Sequence, residues 1–135
     1  MQALPLRGVR RLGLAGVILL GACGDSATAP GRDPEIINNA DNFQYQIPGI
    51  QDFSGTQVYS WQNSGTTATV NQAATVGAGS AMLVLRDANG IEVYNRSLAD
   101  NGTFSSSAGV AGSWTVRVVY SGADATVNFR VDKAN

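Results

Sequence analysis

The chain has 135 residues, of which 14% are charged, a smaller fraction than the roughly 25% of most soluble domains. Histidine is absent and Cys23 is the only cysteine, so intrachain disulfides, cysteine-based metal sites and every mechanism that needs a histidine are excluded. Abundant Gly, Ser, Thr, Ala and Val favour short strands and tight turns over helices.

The first 23 residues have the layout of a secretory signal. Three arginines precede an apolar run from Leu12 to Ala22, which is too short to cross a bilayer as a helix. The run ends in Leu20-Gly21-Ala22-Cys23, which resembles the lipobox of bacterial lipoproteins. The resemblance implies cleavage between Ala22 and Cys23 and attachment of palmitate-like acyl chains at Cys23. An ordinary signal peptide with a cysteine near its cleavage site by chance is the alternative.

The residues after Cys23 bear on location and partners. In the best-known sorting rule of Gram-negative lipoproteins, an aspartate directly after the cysteine retains the protein at the inner membrane, whereas here Gly24 follows and Asp25 comes one later. We therefore expect an envelope protein anchored in the outer membrane through its acylated cysteine. Six basic and ten acidic residues follow Cys23, a formal charge of −4, and no basic patch appears, so a nucleic-acid partner is not expected.

The sequence predicts three segments: a lipoprotein signal peptide at 1–22, a flexible tether at 23–39 that begins with the lipidated Cys23, and a folded domain at 40–135. The tether is assigned because Pro30 and Pro34 discourage regular structure and no apolar periodicity is present.

Beyond Asn42 apolar residues recur with a period of two, which indicates strands with one buried face. Alternation is clearest in residues 114–120 and 125–131, and Ser121 to Asp124 are predicted to join these two runs as a hairpin. Asn89-Gly90 predicts a second hairpin between residues 81–85 and 91–94. Further strands are expected at 43–47, 56–63, 67–76 and around Phe104.

These eight short strands, with no segment of helical period after residue 23, predict an all-β fold: an antiparallel β-sandwich of about eight strands, jelly-roll or immunoglobulin-like. Leu-Arg-Asp-Ala-Asn-Gly at 85–90, Gly112-Ser-Trp114-Thr-Val116 and Val127-Asn-Phe129-Arg-Val131 are similar to the extracellular β-sandwich accessory modules of bacteria, including the pre-peptidase C-terminal domain group. The resemblance implies an extracellular accessory module with a β-sandwich fold.

Two sets of residues are candidate sites. Tyr59 and Trp61 share one strand face and would stack on sugar rings if that face were exposed, although Trp114 is expected in the core. Asp87, Asn89 and Asp100 offer oxygen ligands for calcium if their loops meet at one end of the sandwich, while ordinary turn chemistry explains the same residues.

The resulting hypothesis is a non-catalytic, lipid-anchored protein whose β-sandwich binds or organises an envelope protein or polysaccharide at the cell surface, with no obligatory cofactor. A carbohydrate-binding module that uses exposed aromatic residues is the alternative. An enzyme would require a pair of carboxylates about 5–10 Å apart in a cleft.

Overall fold

The computed structural model describes residues 33–134, where all regular secondary structure is β-strand. The seven strands, all joined in one antiparallel sheet, are β1 (Glu35–Asn39), β2 (Asn42–Asn63), β3 (Ala68–Gln72), β4 (Thr75–Arg86), β5 (Glu92–Ser97), β6 (Gly102–Ser105) and β7 (Gly112–Lys133). The predicted all-β antiparallel fold is confirmed, with seven strands in place of about eight. Within these residues no helix is long and apolar enough to span a membrane.

The strand count differs because β2 and β7 are each 22 residues long. The hairpin predicted at Ser121–Asp124 is wrong: residues 112–120 and 123–132 of β7 both pair with β2 rather than with each other. A glycine-containing polar tetrapeptide suits a turn and a β-bulge equally, because both use a residue with positive φ. Gly122, at φ 53°, belongs to a β-bulge and not to a hairpin turn. The hairpin at Asn89-Gly90 is confirmed, since β4 and β5 pair across it.

A line of bulges crosses the middle of the sheet and bends it. The register between β2 and β7 shifts three times between Ile47 and Gly55, and β4 shifts twice against β7 between Val76 and Ser80. Each bulged stretch contains a residue with positive φ, namely Gly49 and Asp52 on β2, Gly79 on β4 and Gly122 on β7. Such bulges strengthen twist and bend strands locally, so the long strands continue from one half of the sheet into the other.

Side chains on neighbouring strands hold the bulges in place. The amide of Gly122 donates to the Ser54 hydroxyl at 2.8 Å, and the amide of Asp52 donates to the Asp124 carboxylate at 2.7 Å. Backbone donors released from the ladder at the bend thus find partners on the adjacent strand, which is the condition for a stable irregularity.

Bending brings the two halves of the sheet face to face. The front layer contains β1, residues 42–47 of β2, residues 125–132 of β7, β3 and β6. The back layer contains residues 55–63 of β2, residues 112–120 of β7, residues 81–86 of β4, and β5. The core lies between them and is lined by alternate residues of both layers, including Phe43, Tyr45, Trp61, Trp114 and Phe129. The expected burial of Trp114 is confirmed.

The folded domain begins earlier than Ala40, so the predicted end of the tether at residue 39 is wrong. Residues Glu35–Asn39 form β1, which pairs with residues 42–46 of β2. The strand escapes a periodicity search because only Ile36 turns toward the core, while Ile37 beside it is 50% exposed. An edge strand this short places only one apolar side chain against the core, and its sequence therefore resembles that of a linker.

Candidate functional site

The residues that would carry the membrane anchor, Ala22 and Cys23, lie outside the described part of the chain. Their predicted cleavage and acylation therefore stay predictions. The described domain starts close by in sequence, at the solvent-exposed edge strand β1.

The predicted aromatic pair does not form an exposed platform. Trp61 is 1% exposed, and its ring stands edge-on to Trp114, with centroids 6.0 Å apart. Its indole nitrogen donates to the carbonyl of Asn39 at 3.0 Å, which ties β2 to the end of β1. Tyr59 is half-buried and its ring lies 5.6 Å from Phe43. The other face of this strand is exposed, and its large hydrophobic side chain there is Val58, at 56%.

The three proposed calcium ligands do not meet. Asp87 precedes β5 and Asp100 follows it, so the length of this six-residue strand, roughly 20 Å, separates their turns. Between residues 33 and 134 no group of three acidic side chains is placed to hold a metal ion. The expectation that the two loops converge at one end of the sandwich is wrong, because β5 connects opposite ends of the back layer.

Asp87 instead organises the turn between β4 and β5. One carboxylate oxygen accepts the amides of Asn89 and Ile91, both at 2.9 Å, and the other accepts the amide of Val110 at 2.9 Å. These backbone hydrogen bonds, that of Ile91 foremost, hold the pKa of Asp87 below its ordinary value. The buried carboxylate is therefore a structural part of the turn, and its side chain joins the turn to the loop before β7.

A buried tyrosine network joins the two layers, and the sequence analysis does not predict it. The Tyr45 hydroxyl from the front layer bonds the Tyr120 hydroxyl at 2.7 Å, and it donates to the side-chain carbonyl of Gln57 from the back layer. Burial raises the pKa of Tyr120 to about 12 and that of Tyr45 further. Both phenols therefore stay neutral at physiological pH and serve as cross-layer ties. The only signal was their place on inward-facing positions.

A surface depression lies on the outer face of the front layer. It encloses about 290 Å³ beside the β1–β2 hairpin, and its outward-facing lining includes Glu35, Ile37, Gln44, Gln46 and Asn128. These side chains share one face because Glu35 and Asn128 flank Gln46 across the sheet and Ile37 stands opposite Gln44. The depression thus presents amide donors and acceptors, one carboxylate and an exposed aliphatic group.

A second depression, of about 250 Å³, lies at the bend and is lined by residues that include Ile50, Gly77 and Asp124. Asp52 and Asp124 are brought together here, both exposed, with one carboxylate oxygen of Asp124 accepting the amide of Asp52. The depression is open to solvent, whereas the carboxylate pair of a hydrolase stands in a cleft.

No protein-family model matches the chain, and no curated protein shows significant similarity to it.

Proposed function

We propose that this chain is a bacterial lipoprotein, anchored in the outer membrane by its acylated Cys23, whose β domain is a non-catalytic module that binds or organises a partner at the cell surface. The observation that carries the proposal is the sequence Leu20-Gly21-Ala22-Cys23 after a basic leader and an apolar run. More than one acyl chain at the same cysteine would make the attachment stable, because a single chain gives only reversible membrane binding.

The fold supports this arrangement through the position of its first strand. Since β1 begins at Glu35, about eleven residues separate Cys23 from the domain. A flexible linker of that length has a root-mean-square reach of roughly 17–20 Å. The partner would therefore be met close to the lipid headgroups, within the reach of one small domain.

A non-catalytic role is supported by the use of the acidic side chains within the fold. Asp41 accepts the amide and the hydroxyl of Ser64 at 2.7 and 2.9 Å, Asp87 accepts three backbone amides, and Asp132 accepts the side-chain amide of Asn42. Carboxylates engaged in this way stabilise turns and strand ends.

Membrane flotation of the full chain tests the anchor. We expect the wild-type protein to rise with the membrane fraction in high salt and the variant Cys23→Ser to remain at the bottom of the gradient. A double variant, Cys23→Ser with Ser26→Cys, keeps one cysteine but moves it three residues, and it should also fail to float. Flotation of either variant with the membranes would contradict acylation at Cys23.

Carbohydrate binding is a second candidate, which the depression beside the β1–β2 hairpin favours. Its amides can exchange hydrogen bonds with hydroxyl groups, and Ile37 offers an apolar contact of the kind that sugar rings use. We expect the double variant Gln44→Ala/Gln46→Ala to weaken retention on cell-wall or surface polysaccharides. Gln62→Ala, an exposed amide on the back layer, is the matched control. Equal retention of all three proteins, or retention of none, would count against this candidate.

A further inference from the structure

One edge of the back layer is formed by residues 55–63 of β2, which pair there with β7 alone. The backbone groups of alternate residues point away from β7 and would bond another strand if one were present. The carbonyls of Ser60 and Gln62 identify this side, because they accept hydrogen bonds from the Asn38 side chain and the Asp41 amide, at 2.9 and 2.8 Å. Thr56 and Val58 precede Ser60 by four and two residues, so their backbone amides and carbonyls also point away from β7.

The free part of this edge is short and well bounded. The β1–β2 turn covers the Ser60 and Gln62 end, and at the other end the Ser54 hydroxyl is engaged by the bulge at Gly122. In the described part of the chain, no group bonds the edge-facing amides and carbonyls of Thr56 and Val58. These two residues therefore present two donors and two acceptors to solvent.

The other edges of the folded sheet carry the protections that natural proteins place on exposed strands. β1 has five residues and begins with Glu35, β6 has only four, and β5 carries Glu92 and Arg96. The edge at Thr56 and Val58 has none of these features. It lies in a stretch from Phe53 to Leu85 that contains no charged residue and no proline, and Val58 is 56% exposed beside it.

We propose that a second copy of this chain pairs with the edge at Thr56 and Val58. The two edge strands run antiparallel and are related by a two-fold axis that passes beside Gln57. In this register Thr56 of each copy lies opposite Val58 of the other, and four backbone hydrogen bonds form. The strip is uncharged, so a copy of itself meets no like-charge repulsion, and an isologous contact needs only one complementary patch. The cross-strand pairs formed are Thr–Val pairs, which suit a pleated sheet.

Such a contact is small, and it would be weak between molecules free in solution. The inference rests on the proposed function, because anchoring in one membrane raises the effective concentration of copies and limits their orientations. It assigns the partner that the domain organises: another copy of the same lipoprotein.

Cysteine crosslinking of the full chain in isolated membranes tests the pairing. The introduced thiol of a Thr56→Cys variant would lie diagonally across the axis from its symmetry mate, about 7–8 Å away, within reach of a short bismaleimide. We expect an adduct of twice the monomer mass. Adding Val58→Lys should reduce its yield severalfold, whereas adding Ile37→Lys, a similarly exposed site on the β1 edge, should leave it unchanged. Ile37→Cys alone should give no dimer adduct.

The outcomes separate the pairing from the anchor. An adduct with a protein of different mass, a yield from Ile37→Cys equal to that from Thr56→Cys, or no adduct at all would each overturn self-pairing. The wild-type chain carries only Cys23, so a wild-type adduct would show a free thiol there. That result would contradict the proposed acylation, while the dependence on Val58 would still report the pairing.

Discussion

Replacing Gly79 by alanine tests how closely the strands approach at the bend. Gly79 has φ +67°, and a Cβ atom there would lie 2.1 Å from the carbonyl oxygen of Gly122 and 2.3 Å from that of Ser121. Both oxygens belong to backbone that is held in the sheet, so no side-chain rotation can relieve the overlap. β4 and β7 would have to separate at the point where the sheet turns from one layer into the other.

The neighbouring glycine supplies a matched comparison. Gly122 has φ +53° with nothing within 4 Å of its ideal Cβ, so Gly122→Ala incurs only left-handed backbone strain, about 1 kcal/mol. Gly79→Ala adds an overpacking cost of about 1–3 kcal/mol to a similar strain. We therefore expect a loss of about 2–4 kcal/mol, which for a domain of this size corresponds to a fall in Tm of about 8–32 °C, against about 4–8 °C for Gly122→Ala.

Urea and thermal unfolding of the two variants measure this difference. The fluorescence of Trp61 and Trp114 reports unfolding, because both rings are buried in the core. Gly77→Ala is the neutral control, since its Cβ would meet only the Asp124 carbonyl oxygen at an ordinary 3.7 Å. If Gly79→Ala were no more destabilising than Gly122→Ala, the close approach of β4 and β7 at the bend would be refuted.

Three further predictions concern the edge strand, a turn and the core. A chain that begins at Ala40 lacks β1, and we expect its unfolding free energy to fall by about 2–4 kcal/mol, since Trp61 loses its cover and its hydrogen bond; an unchanged urea midpoint would count against this. Backbone amides, that of Ile91 first, lower the pKa of Asp87 below 3.8, so its stabilisation is present above that pH and is lost as the pH falls through the lowered pKa. Asp87→Asn should therefore flatten the acid side of a plot of urea midpoint against pH, and an equally steep plot would argue that the turn does not depend on the carboxylate. Burial raises the pKa of Tyr120 from 10.0 to about 12, so its contribution is intact below pH 10 and is lost as the pH rises through 12; tyrosinate absorbance that rises fully near pH 10 while the fold persists would show that this hydroxyl is accessible.

Alternation of apolar and polar residues predicted the strands and much of the core. Residues 114–120 show why, because Trp114, Val116, Val118 and Tyr120 are all buried and the residues between them are half-buried. The Asn89-Gly90 turn was also predictable, since its backbone requirement is local: Gly90 has φ +80°. Signals of this kind depend on only a few neighbouring residues.

The continuity of β2 and β7 was not predicted, because a bulge and a turn use similar residues. The distinguishing signal is a slip in phase. Buried residues step by three from Ile47 to Ile50 and again to Phe53, as they do from Tyr120 to Ala123. A bulge inserts one residue and so shifts the period of two without reversing the chain. A search for such slips would have favoured long bent strands over hairpins.

The exposure of the candidate site residues could not be predicted from the sequence, because it depends on the tertiary structure. The alternation around Tyr59 and Trp61 left open which face of the strand is buried. The packing of the back layer onto the front layer buries the face with Trp61, and the pairing of β2 with β7 places Trp61 opposite Trp114. The free edge at Val58 depends on which strands become neighbours, which no local pattern determines. The long-range pairing of β2 with β7 thus determines both the burial of Trp61, which removes the predicted aromatic platform, and the free strand edge at Val58.

Intact mass analysis of the mature protein tests our proposal that lipid on Cys23 holds this domain at a membrane. Protein extracted from membranes should begin at Cys23 and carry the mass of a diacylglyceryl group on the thiol and an acyl chain on the amine. A mature chain that begins at any other residue, or that carries an unmodified Cys23, would contradict lipid anchoring at this cysteine.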